Sequence, residues 1–253
     1  YLIRRALGYE DLANINEGET LTAYNTLLTE DGEEMGIYNS SDYTVKSSSK
    51  KVTTVKEQYP SLYNYTHMDA EITPITVELT DVAYQEESNI ELTLIGNDDK
   101  FEVSKILTEA FLKTKREVND TYVAVKSGEL SYDRAKGISA GIWKSFYRAT
   151  SDVYTMFDVT DQSGKISYKD KAMDYGYAST THKSQGSTYK YVFVDESDIS
   201  SAEYNSVQVA SQLRYVAMSR PSKSAIVLTN YNIDKVAGMD TDHMTLEYFE
   251  NNI

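Results

Sequence analysis

The sequence predicts an α/β protein: a β-rich region, then a pair of helices, then a parallel strand–helix–strand unit. Three observations lead there. Apolar residues alternate in short runs between about residues 16 and 99, and recur at helical spacing from 100 to about 158. From about residue 168 two compact apolar runs flank a third helical pattern. The 253 residues, 40% apolar and 25% charged, suffice for a sizeable core in one large domain or two small ones.

In chain order, NEGETLTAYNT alternates Thr20, Leu21, Thr22, Ala23 and Tyr24 after a Glu-Gly turn, and IYNSSDYTVKS repeats the pattern. Ile75, Val77 and Leu79 alternate in ITPITVELTDVAYQ, as do Ile90, Leu92 and Leu94 in NIELTLIG. The gaps EDGEEMG and GNDD are rich in turn formers. Four or five strands so spaced suggest a small barrel. Tyr59, Tyr63 and Tyr65 in QYPSLYNYTH form either a base-stacking platform or ordinary cross-strand packing.

The next stretch is helical. Val103, Ile106, Leu107, Ala110 and Phe111 fall on one face of a first helix, and Ile138, Ile142, Trp143, Phe146 and Tyr147 on one face of a second. Beyond them, the run from Tyr191 to Val194, ending in Asp195, reads as a buried strand. SSAEYNSVQVASQLRYVAMSR reads as one helix with a cap near Ser201 and a stop at Pro221. Ser224 to Asn230 is a second short buried strand, which completes a parallel β-α-β unit.

Composition narrows the function. Cysteine is absent, so no disulfide, thiolate metal site or cysteine nucleophile exists in this chain. His67, His182 and His243 lie too far apart for metal-ligand spacing, and no metal is expected. No apolar run approaches a membrane span and no signal peptide opens the chain, so no membrane partner and a reducing cytoplasm, bacterial or that of an infected host, are expected. The first residue is Tyr1 rather than methionine, and the chain is expected to be a segment of something longer. A net charge of −14 argues against coating nucleic acid through a bulk field, yet leaves room for a local strip of contacts. Lys100 to Arg148 holds ten basic against six acidic residues, and KSSSKKVTTVK is lysine-rich from Lys46 to Lys56. Each is either a solvated surface or such a strip.

Two segments carry chemistry. Thr180-Thr181-His182-Lys183-Ser184-Gln185-Gly186-Ser187-Thr188 gathers hydroxyls, an imidazole, an ammonium and an amide just before a strand, with Gly186 allowing close backbone approach. It is either a phosphate-facing loop or a polar turn. Leu213 to Pro221 delivers Arg220 at the end of an apolar helix. There a guanidinium either reaches a γ-phosphate or simply complements the helix macrodipole.

Taken together, YGYASTTHKSQGST and VFVD followed by LRYVAMSRPSKSAIVLT resemble motifs V and VI of superfamily-one DNA helicases, nearest to the Dda-like and RecD-like 5′-to-3′ branch. AGIWKSFYRATSDVYTMFDV looks like the helical approach to motif V in phage-type members, and NEGETLTAYN with IYNSSDYTV is similar to the SH3-like domain inserted in that branch. The resemblance is most specific at residues 175–195 and 213–228 and weakest between about 46 and 130. Met218 and Pro221 are mild departures from the usual motif VI. No GxxxxGK[ST] phosphate loop is present, and VFVDE, although it imitates a Walker B strand, is read as an ordinary strand end because it follows motif V directly.

The resemblance implies a RecA-like parallel-sheet domain of the P-loop NTPase type, without the P-loop, that carries an SH3-like barrel and a helical arm. It divides the chain into a start of that domain at 1–14, an SH3-like insertion at 15–99, an arm at 100–158, and the remainder with motifs V and VI at 159–253. The implied function is the C-terminal, UvrD-like part of an ATP-dependent DNA helicase, with ATP and Mg²⁺ bound mainly by an N-terminal RecA-like half. Arg220 is then the arginine finger; Gln185, Gly186 and Ser187 with Arg220 approach the nucleotide; Thr180, His182 and Lys183 contact single-stranded DNA. A stand-alone single-strand-binding module with relic motifs, or a helicase subunit of a nuclease complex, are the other readings.

Overall fold

Alternation along the chain builds the first sheet. The computed structural model describes residues 4, 8–9, 14–29, 32–82, 89–161, 167–178, 180–182, 184, 188–201 and 206–228. In chain order the first elements are β1 (Thr20–Ala23), β2 (Asp42–Lys50), β3 (Thr53–Thr54), α1 (Val55–Gln58), α2 (Pro60–Thr66), β4 (Glu71–Ile72), β5 (Ile75–Asp81) and β6 (Ile90–Ile95). Two long helices follow, α3 (Lys100–Lys126) and α4 (Tyr132–Thr150), and then β7 (Tyr154–Thr155), β8 (Val159–Thr160), β9 (Ser167–Lys169) and β10 (Met173–Tyr175). All of these belong to one compact unit, Tyr1–Ala178; the second unit is Ser179–Ile253. The protein is thus mixed α/β, and no helix among the described residues is long and apolar enough to cross a membrane.

Six strands join in the order β10-β1-β2-β5-β6-β7, antiparallel throughout except for the parallel β6–β7 pair. In β5 every second residue is buried, with Ile75, Val77 and Leu79 turned inward as the alternation requires. Leu21, Tyr43, Val77, Leu94, Met156 and Met173 share a single core, so the sheet curls around one apolar interior. Its two ends meet at one backbone hydrogen bond, from Ala172 N–H to Thr155 O at 2.8 Å. The four strands read from the sequence are β1, β2, β5 and β6. Short β7 and β10 carry no alternation of their own and are recruited by pairing with edges already formed.

Helices α3 and α4 form the crossover that a parallel β6–β7 pair needs, and they cover a second core. Val103, Ile106, Leu107 and Ala110 of α3 are buried as the spacing predicts, and Phe111 stacks on Tyr168 with ring centroids 4.3 Å apart. The face of α4 is a correction. Ala135, Ser139, Phe146, Ala149 and Thr150 are the buried residues, while Ile138 and Tyr147 are exposed and Ile142 and Trp143 half-buried. Small Ala135 and Ser139 let α3 approach closely, which turns the larger apolar groups aside.

The tyrosine-rich stretch is helical rather than β. Pro60 opens α2, where its missing N–H costs nothing. Tyr59 is only 2% exposed, and the Tyr65 hydroxyl lies 2.8 Å from Thr114 Oγ1. Tyr59 and Tyr65 are packing groups, not a stacking platform. The lysine-rich stretch is also ordered: Lys46 and Lys50 lie in β2, with Lys50 Nζ 3.4 Å from Asp98, and Lys56 lies in α1 over the Tyr63 ring.

A buried ion pair ties Arg4 to the residue just before β1 and to the end of this unit. Arg4 and Glu19, 3% and 0% exposed, meet through Nη2 and Oε2 at 2.8 Å. The Arg4 guanidinium lies 4.1 Å over the Tyr175 ring, and the Tyr177 hydroxyl donates to Glu19 at 3.1 Å. Burial alone would raise the Glu19 pKa, but hydrogen bonds from Arg4 and Asn16 outweigh it and hold the carboxyl below its ordinary range.

Candidate functional site

The second unit is built from β11 (Tyr189–Asp195), α5 (Glu196–Ser201), α6 (Val207–Met218) and β12 (Pro221–Leu228). β11 and β12 pair in parallel, Val192 opposite Ala225 and Phe193 opposite Ile226, and the helices between them make the expected β-α-β unit. The single long helix read from the sequence is two. Asp195 accepts hydrogen bonds from Ser197 N–H at 3.0 Å and from its hydroxyl at 2.5 Å, so the strand turns straight into α5. The cap of α6 is Ser206, whose hydroxyl accepts from Val209 N–H, and not the region of Ser201. Asp195 is thus the last residue of β11, and its carboxylate caps the start of α5.

Neither strand is buried on both faces among the described residues. Val194 packs with Ile199, Ala210 and Ala217, whereas Phe193 is 66% exposed and β12 has no fully buried residue. The reason is geometric: α5 and α6 cover one face of a two-stranded sheet, and alternation turns Phe193 to the other. Pro221 is the first residue of β12, where its lack of an N–H is tolerated, so it begins the strand as well as ending the helix. Arg214 holds the two helices together, its guanidinium 2.6 Å from Glu196 Oε1 and Nη2 3.4 Å from Ser200 Oγ.

The loop before β11 closes on itself. Ser184 N–H donates to Thr180 O at 3.1 Å and Ser184 Oγ to Thr181 O at 2.8 Å, which places Thr181 and His182 at the bend. These two residues form one wall of an open groove of about 630 Å³. The other wall is α6, through Gln208, Ser211, Gln212 and Tyr215. Their spacing of i, i+3, i+4 and i+7 sets them on one stripe, which the sequence displayed as polar positions on an otherwise apolar helix. Thr180 is exposed and is not among the residues lining this groove. Lys183, Gln185, Gly186 and Ser187 lie outside the described residues.

Arg220 stands at the junction of α6 and β12. Its backbone carbonyl accepts from Tyr189 N–H at 3.1 Å, which pins the junction to the start of β11. Its side chain folds back on the helix end: Nε donates to Val216 O at 3.2 Å, and Nη2 to Ser219 Oγ at 2.9 Å. A cation at the C-terminal end of a helix is electrostatically favourable. These bonds are at the helix surface, and a guanidinium has donors to spare for a phosphate.

Hydroxyl, imidazole and amide donors along one groove, one turn from an arginine at a strand edge, suit a polyanion. No curated protein matches the chain. Residues 175–228, from Tyr175 of β10 to Leu228 of β12, match the family model described as the UvrD-like helicase C-terminal domain.

Proposed function

We propose that this chain supplies the C-terminal part of an ATP-dependent DNA helicase, with Arg220 as the arginine finger of the ATP cleft. The observation that carries the reading is the family match at residues 175–228, which contains the 180–188 loop, α6 and Arg220. In this reading Gln185, Gly186 and Ser187 approach the nucleotide with Arg220. Thr180, His182 and Lys183 hold phosphates of single-stranded DNA, so that cleft closure moves the strand. ATP and Mg²⁺ are held mainly by the RecA-like half that carries the phosphate loop, because this sequence contains none. Residues 1–14 and 159–253 are assigned to the second RecA-like domain, 15–99 to an SH3-like insertion and 100–158 to its arm.

The test is DNA-stimulated ATP hydrolysis by the polypeptide that joins this chain to its phosphate-loop half, with and without Arg220→Ala. Loss of turnover by about 10³-fold or more, with DNA binding nearly intact, is the expected result. Unchanged turnover, or loss of DNA binding instead, would sink the assignment. A polypeptide that hydrolyses no ATP would leave a strand-binding module.

A further inference from the structure

The outer face of α4 carries charge and rings that the fold does not use. This helix holds four basic residues, Arg134, Lys136, Lys144 and Arg148, against one acid, Asp133. All four are exposed, and none has a salt-bridge partner among the described residues. Helix α3 holds six cations among four acids, and two of the six are engaged: Arg116 pairs with Glu109, and Lys113 donates to Tyr65 O. The positive excess is densest on α4, which is +3 over 19 residues where α3 is +2 over 27.

Lys136, Lys144, Tyr147 and Arg148 fall on one stripe, at i, i+8, i+11 and i+12, over roughly 18 Å of helix. Tyr147 is 63% exposed, and its ring lies 6.0 Å from that of Trp143 at an interplanar angle of 30°. Gly137 and Gly141, beside the stripe, face open space. Cations that bind phosphates beside an aromatic face that stacks a base form the chemistry of single-strand contacts. The net charge of −14 opposes a polyanion at long range, so binding here rests on the short-range contacts of this strip.

We propose that the outer face of α4 is a single-stranded nucleic-acid contact, with Lys136, Lys144 and Arg148 on the phosphates and Tyr147 stacked on a base. It rests on the helicase reading only in taking nucleic acid as the polyanion, and it lies apart in sequence from the loop and α6 residues of that reading.

Trp143 is the sole tryptophan of the chain and sits between Tyr147 on this face and Phe146 of the core, so its emission reports on this part of α4. The experiment titrates the whole chain with fluorescein-labelled oligothymidylate, following Trp143 emission and label anisotropy together over a range of salt. Binding should quench Trp143. Lys144→Glu/Arg148→Glu should weaken binding at least tenfold and reduce the salt slope by about two. Tyr147→Ala should weaken it about tenfold and reduce the quench. The substituted side chains are exposed, and thermal melting checks that each variant is folded. Oligonucleotide bound without a change in Trp143 emission, or bound as tightly by the charge-reversed variant, overturns the proposal. So does absence of binding at low salt, or quenching by polyglutamate in place of oligothymidylate. If His182→Ala abolishes binding while the α4 variants do not, the motif reading stands and this one falls.

Discussion

Tyr59 shows how one atom's surroundings decide a residue's role. Its ring is buried among Leu62, Ile72 and Phe146, and its hydroxyl has no hydrogen-bond partner among the described residues. Burial, reinforced by Asp152 and Asp99, drives its pKa above the ordinary tyrosine range, so the group stays neutral. An unpaired buried hydroxyl costs free energy that a hydrogen atom in its place does not. Tyr59→Phe should therefore raise stability by about 1 kcal/mol, read as a higher urea midpoint at unchanged slope. A lower midpoint would mean that the hydroxyl is satisfied. The sequence offered Tyr59 as stacking or packing; only its neighbours separate the two.

At the scale of elements, the β10–β1 edge is where a single backbone position matters most. Gly176 donates its N–H to Thr20 O at 2.8 Å, and a Cβ there would sit 3.0 Å from both Thr20 Cγ2 and Thr22 Oγ1. Gly176→Ala should destabilise the first unit by about 1–3 kcal/mol through overpacking, measured by chemical denaturation. A neutral outcome would mean that β10 can draw away from β1 without loss. Periodicity located α3 and its buried residues correctly, because Val103, Ile106 and Leu107 are large and unambiguous. It misplaced the face of α4, because an apolar count does not weigh the close approach that Ala135 and Ser139 permit. The divided helix after β11 was missed for a related reason: Asp195 and Ser206 act as caps through hydrogen bonds that a polar letter in the sequence does not reveal.

For the molecule as a whole, pH tests how burial and charge combine. Lys169 donates to Thr150 O at the end of α4, and burial lowers its pKa from 10.5 to about 8 despite the nearby Asp152. Between those values the unfolded chain keeps a proton that the folded chain has released, so stability rises with pH. The rise, of order a few kcal/mol, should be read between pH 8 and 10 by denaturant unfolding and should disappear in Lys169→Met. Above that window tyrosines oppose it. Burial raises Tyr175 to about 12, so the unfolded chain ionises first and stability falls again. A flat profile between pH 8 and 10 in the parent chain would refute the account of Lys169.

By itself the sequence determined the mixed α/β class, strands β1, β2, β5 and β6, the parallel unit around β11 and β12, and the resemblance at residues 175–195 and 213–228. These follow from local periodicity and from runs of specific residues, which need no knowledge of distant neighbours. Tertiary structure alone decided that 1–178 forms one unit, since α3 and α4 are a crossover within the same sheet and β10 pairs back on β1. It alone set Thr181 and His182 against Gln208 and Gln212, and turned Tyr147 outward. Such placements depend on which surfaces meet across long separations in the chain, and the energy of those contacts is not written in any one segment.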